Sequence, residues 1–203
     1  MADPLDHFYS CRVGWVFLTA DGEFRPVEPP PGAVFPGSFN PLHGGHTTLA
    51  ELSAARLGQA VAFELSVANV DKPDLSLDEV QRRLEQFRGR APVLVTRAPT
   101  FQEKAALFPG TVFVVGADTA ARIVHPRFYG DDPARMINAL QEIRARGCRF
   151  FVGGRLETGG RFVSLSGLAI PSDFRDIFTG VDERDFRVDN SSTELRAGPR
   201  PAR

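Results

Sequence analysis

AVFPGSFNPLHGGHTTLAELSAARLG, residues 33–58, opens as a short apolar strand, passes through a glycine-rich turn and continues at helical spacing. Leu49, Leu52 and Ala55 recur at three-residue steps, flanked by Ala50 and Ala54, and Gly58 stands where a helix would stop. The same order repeats down the chain. VAFELSV (61–67) reads as a strand, LDEVQRRLEQF (77–87) as a helix and PVLVT (92–96) as a strand. FQEKAALF (101–108) reads as a short helix, TVFVVG (111–116) as a buried strand, DDPARMINALQEIRARG (131–147) as a helix and CRFFVGG (148–154) as a further strand. Parallel strands need crossovers, which helices supply, so the repetition predicts an α/β fold with a doubly wound parallel sheet. Ligands meet such a sheet at the carboxyl ends of its strands, which singles out the turn at 37–46.

Outside this repeat the reading is coarser. Residues 12–28 form two short runs around Ala20-Asp21-Gly22, where Asp-Gly supplies the backbone that a hairpin turn needs. Pro29-Pro30-Pro31-Gly32 then reads as a stiff connector. The expected organisation is an N-terminal β-hairpin extension at 1–31 and a main domain at 32–203, with Trp15 and Phe17 of the hairpin buried against the sheet. Towards the other end, RFVSLSGL reads as a strand or a loop, PSDFRDIF as a short helix and FRVD as a final strand before NSSTELR. No internal repeat or heptad pattern is present.

The chain of 203 residues is 42% hydrophobic and 24% charged, a globular balance that excludes global disorder. Twenty-four basic against twenty-five acidic residues leave a net charge of −1, so no basic field draws nucleic acid or an anionic membrane. Neither is an expected partner. The first residues lack the pattern of a secretory signal, and no apolar run approaches the ~20 residues of a membrane span. Cys11 and Cys148 stand far apart without a CxxC motif, which argues against a structural zinc site and a disulfide framework. A reducing cytoplasm is the expected setting. Lys72 and Lys104 are the only lysines.

GSFNPLHGGH places two histidines three residues apart at the start of a helix, where unpaired N–H groups and the positive dipole end favour an anion. Glycines 37, 44 and 45 let backbone approach a ligand, and His43 and His46 are spaced to point at one object. Two imidazoles on a helix start suit a phosphate. A Walker loop is excluded because GxxxxGK[ST] is absent. Further along, Ser191 and Glu194 fit a capping box, so SSTELR should begin a helix, offering its N–H groups and the hydroxyls of Ser192 and Thr193 to an anion, with Arg196 one turn inside. Asp118, in Gly116-Ala117-Asp118-Thr119 after a buried strand, belongs at the same sheet edge.

These residues resemble a known family. GSFNPLHGGH is similar to the GxFxPxHxGH signature of the nucleotidylyltransferase superfamily, and NSSTELR (190–196) to its second signature, ISSTxxR; the two stand in the family's order. GADT resembles the segment by which adenylyltransferases of nicotinamide or nicotinate mononucleotide contact nucleotide. SVANVDKPDL (66–75) resembles the loop from which a lysine of those enzymes reaches phosphate, which nominates Lys72. The resemblance covers residues 33–196 and implies a Rossmann-like fold; the N-terminal hairpin is not part of its core pattern. It also implies adenylyl transfer from ATP to the mononucleotide, with Mg²⁺ carried by the triphosphate. His43, His46, Lys72 and Arg196 take the catalytic places. Gly37, Ser38, Phe39, Asn40, Gly45, Gly116, Asp118, Thr119, Ser191, Ser192 and Thr193 take the nucleotide-binding places, and no protein metal ligands are expected. By position, Arg97 and Phe101 fall beside the second substrate. Cytidylyl transfer to a phosphorylated alcohol and nucleotide binding without turnover are the alternatives, and a homo-oligomer is compatible with all three.

Overall fold

Four consecutive strands, β3 (Ala33–Pro36), β4 (Val61–Ser66), β5 (Val93–Thr96) and β6 (Val112–Gly116), set the topology once the first two elements that precede them are placed. Those are a short helix α1 (Pro4–Tyr9) and the hairpin β1 (Trp15–Leu18) and β2 (Phe24–Arg25). The computed structural model describes residues 4–10, 13–25, 32–68, 73–156 and 162–181. Helices α2 (Gly44–Leu57) and α3 (Leu77–Leu84) follow β3 and β4, α4 (Phe101–Leu107) follows β5, and α5 (Ala117–Ile123) and α6 (Pro133–Ala145) follow β6. The described chain then runs through β7 (Arg149–Gly153), β8 (Arg155–Leu156), β9 (Phe162–Val163) and β10 (Phe178–Gly180).

The strand order across the central sheet is β10-β7-β6-β3-β4-β5-β1-β2. From β10 to β5 every pairing is parallel. The sheet is covered on both sides, which explains why its strands read as nearly continuous apolar runs. Phe35, Phe63 and Val95 pack with α1, α2 and α3 on one face, while Val34, Ala62 and Leu94 pack with α4, α5 and α6 on the other. The chain leaves β3 towards β4 over the first face and comes back past it to β6 over the second. The order therefore reverses between β3 and β6, and the crevice at their carboxyl ends is the switch point where such sheets bind ligands. This is the doubly wound architecture that the alternation predicts and the Rossmann-like fold that the resemblance implies.

The hairpin forms around Gly22, whose φ of 87° is the left-handed conformation the Asp-Gly turn requires. It joins the sheet: β1 runs antiparallel to β5, from Trp15 opposite Thr96 to Leu18 opposite Val93. Trp15 packs edge-on against Phe108, and both Trp15 and Phe17 lie half-buried on the second face. The elements outside the sequence reading include α1 and β10. Helix α1 buries Leu5 and Phe8, and β10 extends the sheet beside β7. RFVSLSGL resolves into β9, paired antiparallel with β8, and a single 3₁₀ turn; PSDFRDIF is a 3₁₀ helix, Ser172–Ile177. FRVD and NSSTELR lie outside the described residues. Among those described, no helix is long and apolar enough to cross a membrane.

One charge pair lies inside the second layer. Glu64 on β4 is fully buried and Lys104 on α4 is 5% exposed. The ammonium reaches both carboxylate oxygens at 2.8 Å and the Ala98 carbonyl at 2.6 Å, and the Thr96 hydroxyl donates to the same carboxylate. The pair ties β4, the end of β5 and α4 together, and its groups are all hydrogen-bonded, as burial of charge demands.

Candidate active site at the sheet switch point

The turn after β3 brings the two histidines into contact. Their rings stack with centroids 3.7 Å apart and planes 27° from parallel. The arrangement follows from the way α2 begins. His43 takes extended backbone (φ −143°, ψ 169°) and caps the helix: its Nδ1 accepts from the Gly45 N–H at 3.2 Å. His46, at the third position, returns its own Nδ1 to the His43 N–H at 3.3 Å. Histidines thus fill both roles of a reciprocal capping box usually held by Ser or Thr and Glu or Gln. Because each Nδ1 accepts a backbone proton, each neutral ring carries its own proton on Nε2, across the ring from the helix backbone. The pair presents two N–H donors.

Electrostatics keep the rings neutral at pH 7. His46 sits edge-on to Phe35 and Phe39, and burial against them, with the His43 ring alongside, lowers its pKa to about 4. Burial lowers His43 as well. The first turn of α2 holds no acidic residue, whereas α3 and α4 carry Asp78, Glu79 and Glu103 in theirs. The positive end of a 14-residue helix is therefore not offset by a side-chain carboxylate, which favours an anionic ligand.

The loop residues expected to bind nucleotide divide into different roles. Phe39 requires correction: its ring is 1% exposed and packs on Phe35, Phe63 and Phe87, so it belongs to the core and not to the crevice. The residue has a positive φ of 42°, and the ring folds back over Gly37, where a Cβ would meet it at 2.5 Å. The need for glycine at 37 is thus internal packing. Ser38 is exposed, but its carbonyl accepts from Arg83 at 2.9 Å; Asn40, followed by a cis peptide to Pro41, accepts from Arg82 at 3.0 Å. Gly45 gives its N–H to His43. Gly116, Asp118 and Thr119 lie across the switch point, at the end of β6. Gly116 caps α5 without a side-chain bond, and Asp118 stands exposed in the first turn of that helix.

Arg97 departs from its expected place. Its guanidinium lies over the rings of Phe8 and Tyr9, 5.1 and 5.4 Å from their centroids, and pairs with Asp74 at 3.2 Å. It is directed to α1, an element the sequence reading did not contain. Phe101 packs on Phe113 and Phe150 and lines a cavity of about 380 Å³ with Thr100, Phe128, Tyr129, Arg135 and Asn138. Phe128 is 51% exposed. Lys72, Ser191, Ser192, Thr193 and Arg196 lie outside the described residues. Among those described, no group of three or more His, Cys, Asp or Glu side chains forms a metal site.

The sequence reading also missed what braces the loop. Gln86, just beyond α3, receives the Leu42 N–H at 2.8 Å on its amide oxygen and donates its amide nitrogen to the Phe39 carbonyl at 3.0 Å. Glu79 holds Arg82 at 2.8 Å and Arg83 at 2.7 Å. The i, i+3, i+4, i+7 spacing of these four polar residues was visible, but it reads equally as a solvated helix face.

Paired imidazole donors on a helix start at a sheet switch point suit the transfer of a phosphoryl-linked group. Comparison with curated proteins gives no match. A family model described as cytidylyltransferase-like matches residues 34–198, a span that contains both sequence motifs, and so the chain belongs to the cytidylyltransferase-like family, nucleotidyltransferases of the paired-histidine type.

Proposed function

We propose that this nucleotidyltransferase moves the adenylyl group of ATP to the phosphate of nicotinamide or nicotinate mononucleotide. An acceptor phosphate oxygen attacks the α-phosphorus, the bond to the β-phosphate oxygen breaks, and pyrophosphate leaves. The acceptor is already a nucleophile, so no covalent enzyme intermediate is needed. Catalysis then consists of aligning the two phosphates and stabilising charge as it develops. Neutral His43 and His46 serve as preorganised Nε2–H donors to the α-phosphate, and the stacking and reciprocal caps that hold them are the observation that carries this reading. In the same reading Lys72 and Arg196 screen the phosphates, while Ser191, Ser192 and Thr193 hold the β and γ groups. Backbone of Gly37, Ser38 and Asn40 and the segment Gly116, Asp118, Thr119 flank the nucleotide. Mg²⁺ enters as part of the nucleotide substrate, since it keeps several waters and binds readily through phosphate oxygens.

The acceptor side is supported by the cavity between the β5–α4 loop and the turn after α5. Its exposed Phe128 suits a flat ring, with Tyr129, Asn138 and Arg135 supplying polar and cationic groups. A reducing cytoplasm fits Cys148, a buried free thiol whose pKa is raised by burial.

The family match is equally consistent with a second reading, cytidylyl transfer to a phosphorylated alcohol. One experiment separates them: pyrophosphate release with ATP or CTP, against a panel containing both mononucleotides and phosphorylated alcohols. Release only with ATP and a mononucleotide supports the first reading. Release only with CTP and a phosphorylated alcohol replaces it with the second, and nucleotide binding without release from any acceptor leaves a binding module.

A further inference from the structure

We propose that the polar stripe Glu79, Arg82, Arg83 and Gln86 is the positioning device of the histidine loop, fixing residues 38–42 so that His43 caps α2 and stacks on His46. The inference rests on the reading of the pair as the phosphate-binding centre only for its effect on turnover.

The loop is unusual in how its polar groups are held. From Ser38 to Leu42, bonds run to one side of α3 and its 3₁₀ continuation: Ser38 carbonyl to Arg83, Phe39 carbonyl and Leu42 N–H to Gln86, and Asn40 side chain to Arg82. Gln86 is the keystone because a single amide satisfies a donor and an acceptor on either side of the Asn40–Pro41 turn. Leu42 immediately precedes His43, so the Gln86 bond sets where the cap begins. Arg83 is 8% exposed and is held in turn by Glu79, to which its Nε donates at 2.7 Å. A charged group so enclosed has few alternative rotamers, which makes its contact to the Ser38 carbonyl rigid. None of the four side chains needs to touch a substrate; they act through His43 and His46.

The test is Gln86→Met, which keeps side-chain length and removes both bonds, read by three measurements. Exchange of the Leu42 amide with deuterium should quicken at least about tenfold, as its acceptor is lost. The His46 titration, followed by NMR, should move up by about one unit as the loosened ring meets water. Pyrophosphate release should lose about 10- to 100-fold in kcat with KM changed less than about threefold, the pattern of misplaced reacting groups. Gln86→Glu keeps the acceptor for Leu42 but not the donor to Phe39, and should fall between. If Gln86→Met does not fold, Arg82→Ala, a truncation of an exposed side chain, must shift the same readouts in the same direction by a smaller amount. Lower thermal stability with an unchanged His46 titration and unchanged Leu42 exchange overturns the proposal. A wild-type protein that turns over no substrate would defeat the functional reading, while the exchange and titration would still decide the role of the stripe.

Discussion

Acidification should weaken the fold through the histidine pair, and through His46 above all. In the folded chain His46 holds its pKa near 4 against an ordinary 6.5, because it is packed on Phe35 and Phe39 beside the His43 imidazole. Between these values the unfolded chain binds a proton that the folded chain does not. Stability therefore rises with pH across that window, is fully present above 6.5 and is lost as the pH falls to about 4. At ~1.4 kcal/mol per unit the ceiling is roughly 3 kcal/mol. The ring is only half-buried, so screening by water reduces this to about 1.5 kcal/mol. The comparison is His46→Gln, since glutamine at the third helical position can still reach back to the His43 N–H but does not titrate. Urea unfolding of both proteins at constant ionic strength, at pH 7, 6, 5 and 4.5, measures the difference. With a denaturant slope of about 2–3 kcal/mol/M, the wild-type midpoint should fall about 0.6 M further than that of the variant. Midpoints that fall in parallel refute the reasoning, for they would mean that the folded ring takes its proton as readily as a solvated one.

Three other outcomes follow from the same structure. His46→Ala should lower kcat by about 10² to 10³, near 3–4 kcal/mol, the usual cost of removing a preorganised donor to a developing anion; steady-state pyrophosphate release measures it, and full turnover would remove His46 from its assigned place. Lys104→Met leaves the Glu64 carboxylate buried without its cation, at a cost of about 3–5 kcal/mol, which lowers the melting temperature by roughly 6–20 °C. Adding Glu64→Gln should recover most of that loss, whereas a single-variant loss below about 1 kcal/mol would show that the pair contributes little. Phe128→Ala should raise the KM of the acceptor about tenfold, equivalent to ~1.4 kcal/mol of lost ring contact, with the KM of the nucleotide unchanged; equal effects on both would place the cavity elsewhere in the reaction.

The alternation of strands and helices from 33 to 153 was legible because the strands stand out as short apolar runs and the longer helices between them carry helical spacing, cap residues and stop signals, although the seven-residue α5 did not. Gly58, with a φ of 66°, ends α2 where the spacing said it would. The elements that escaped notice are short. Helix α1 has six residues and β10 three, and each is stabilised by distant partners: Phe8 by the first-face core, Phe178 by Phe150, with rings stacked at 4.8 Å. Nor did the sequence distinguish Lys104, which faces a buried carboxylate, from a solvated helix lysine; its partner Glu64 lies 40 residues earlier on another strand.

The chain by itself determined which chemical groups meet at the helix start, since His43 and His46 sit three residues apart and the cap is a local structure. It also determined the winding of the sheet, because short-range periodicity specifies strands and crossovers. Only the tertiary structure decided that the rings stay neutral, that Phe39 faces inward, and that Gln86 and the arginines hold the loop from 42 to 47 residues away. Those properties depend on desolvation and on contacts between segments far apart in sequence, and neither exists until the layers have packed.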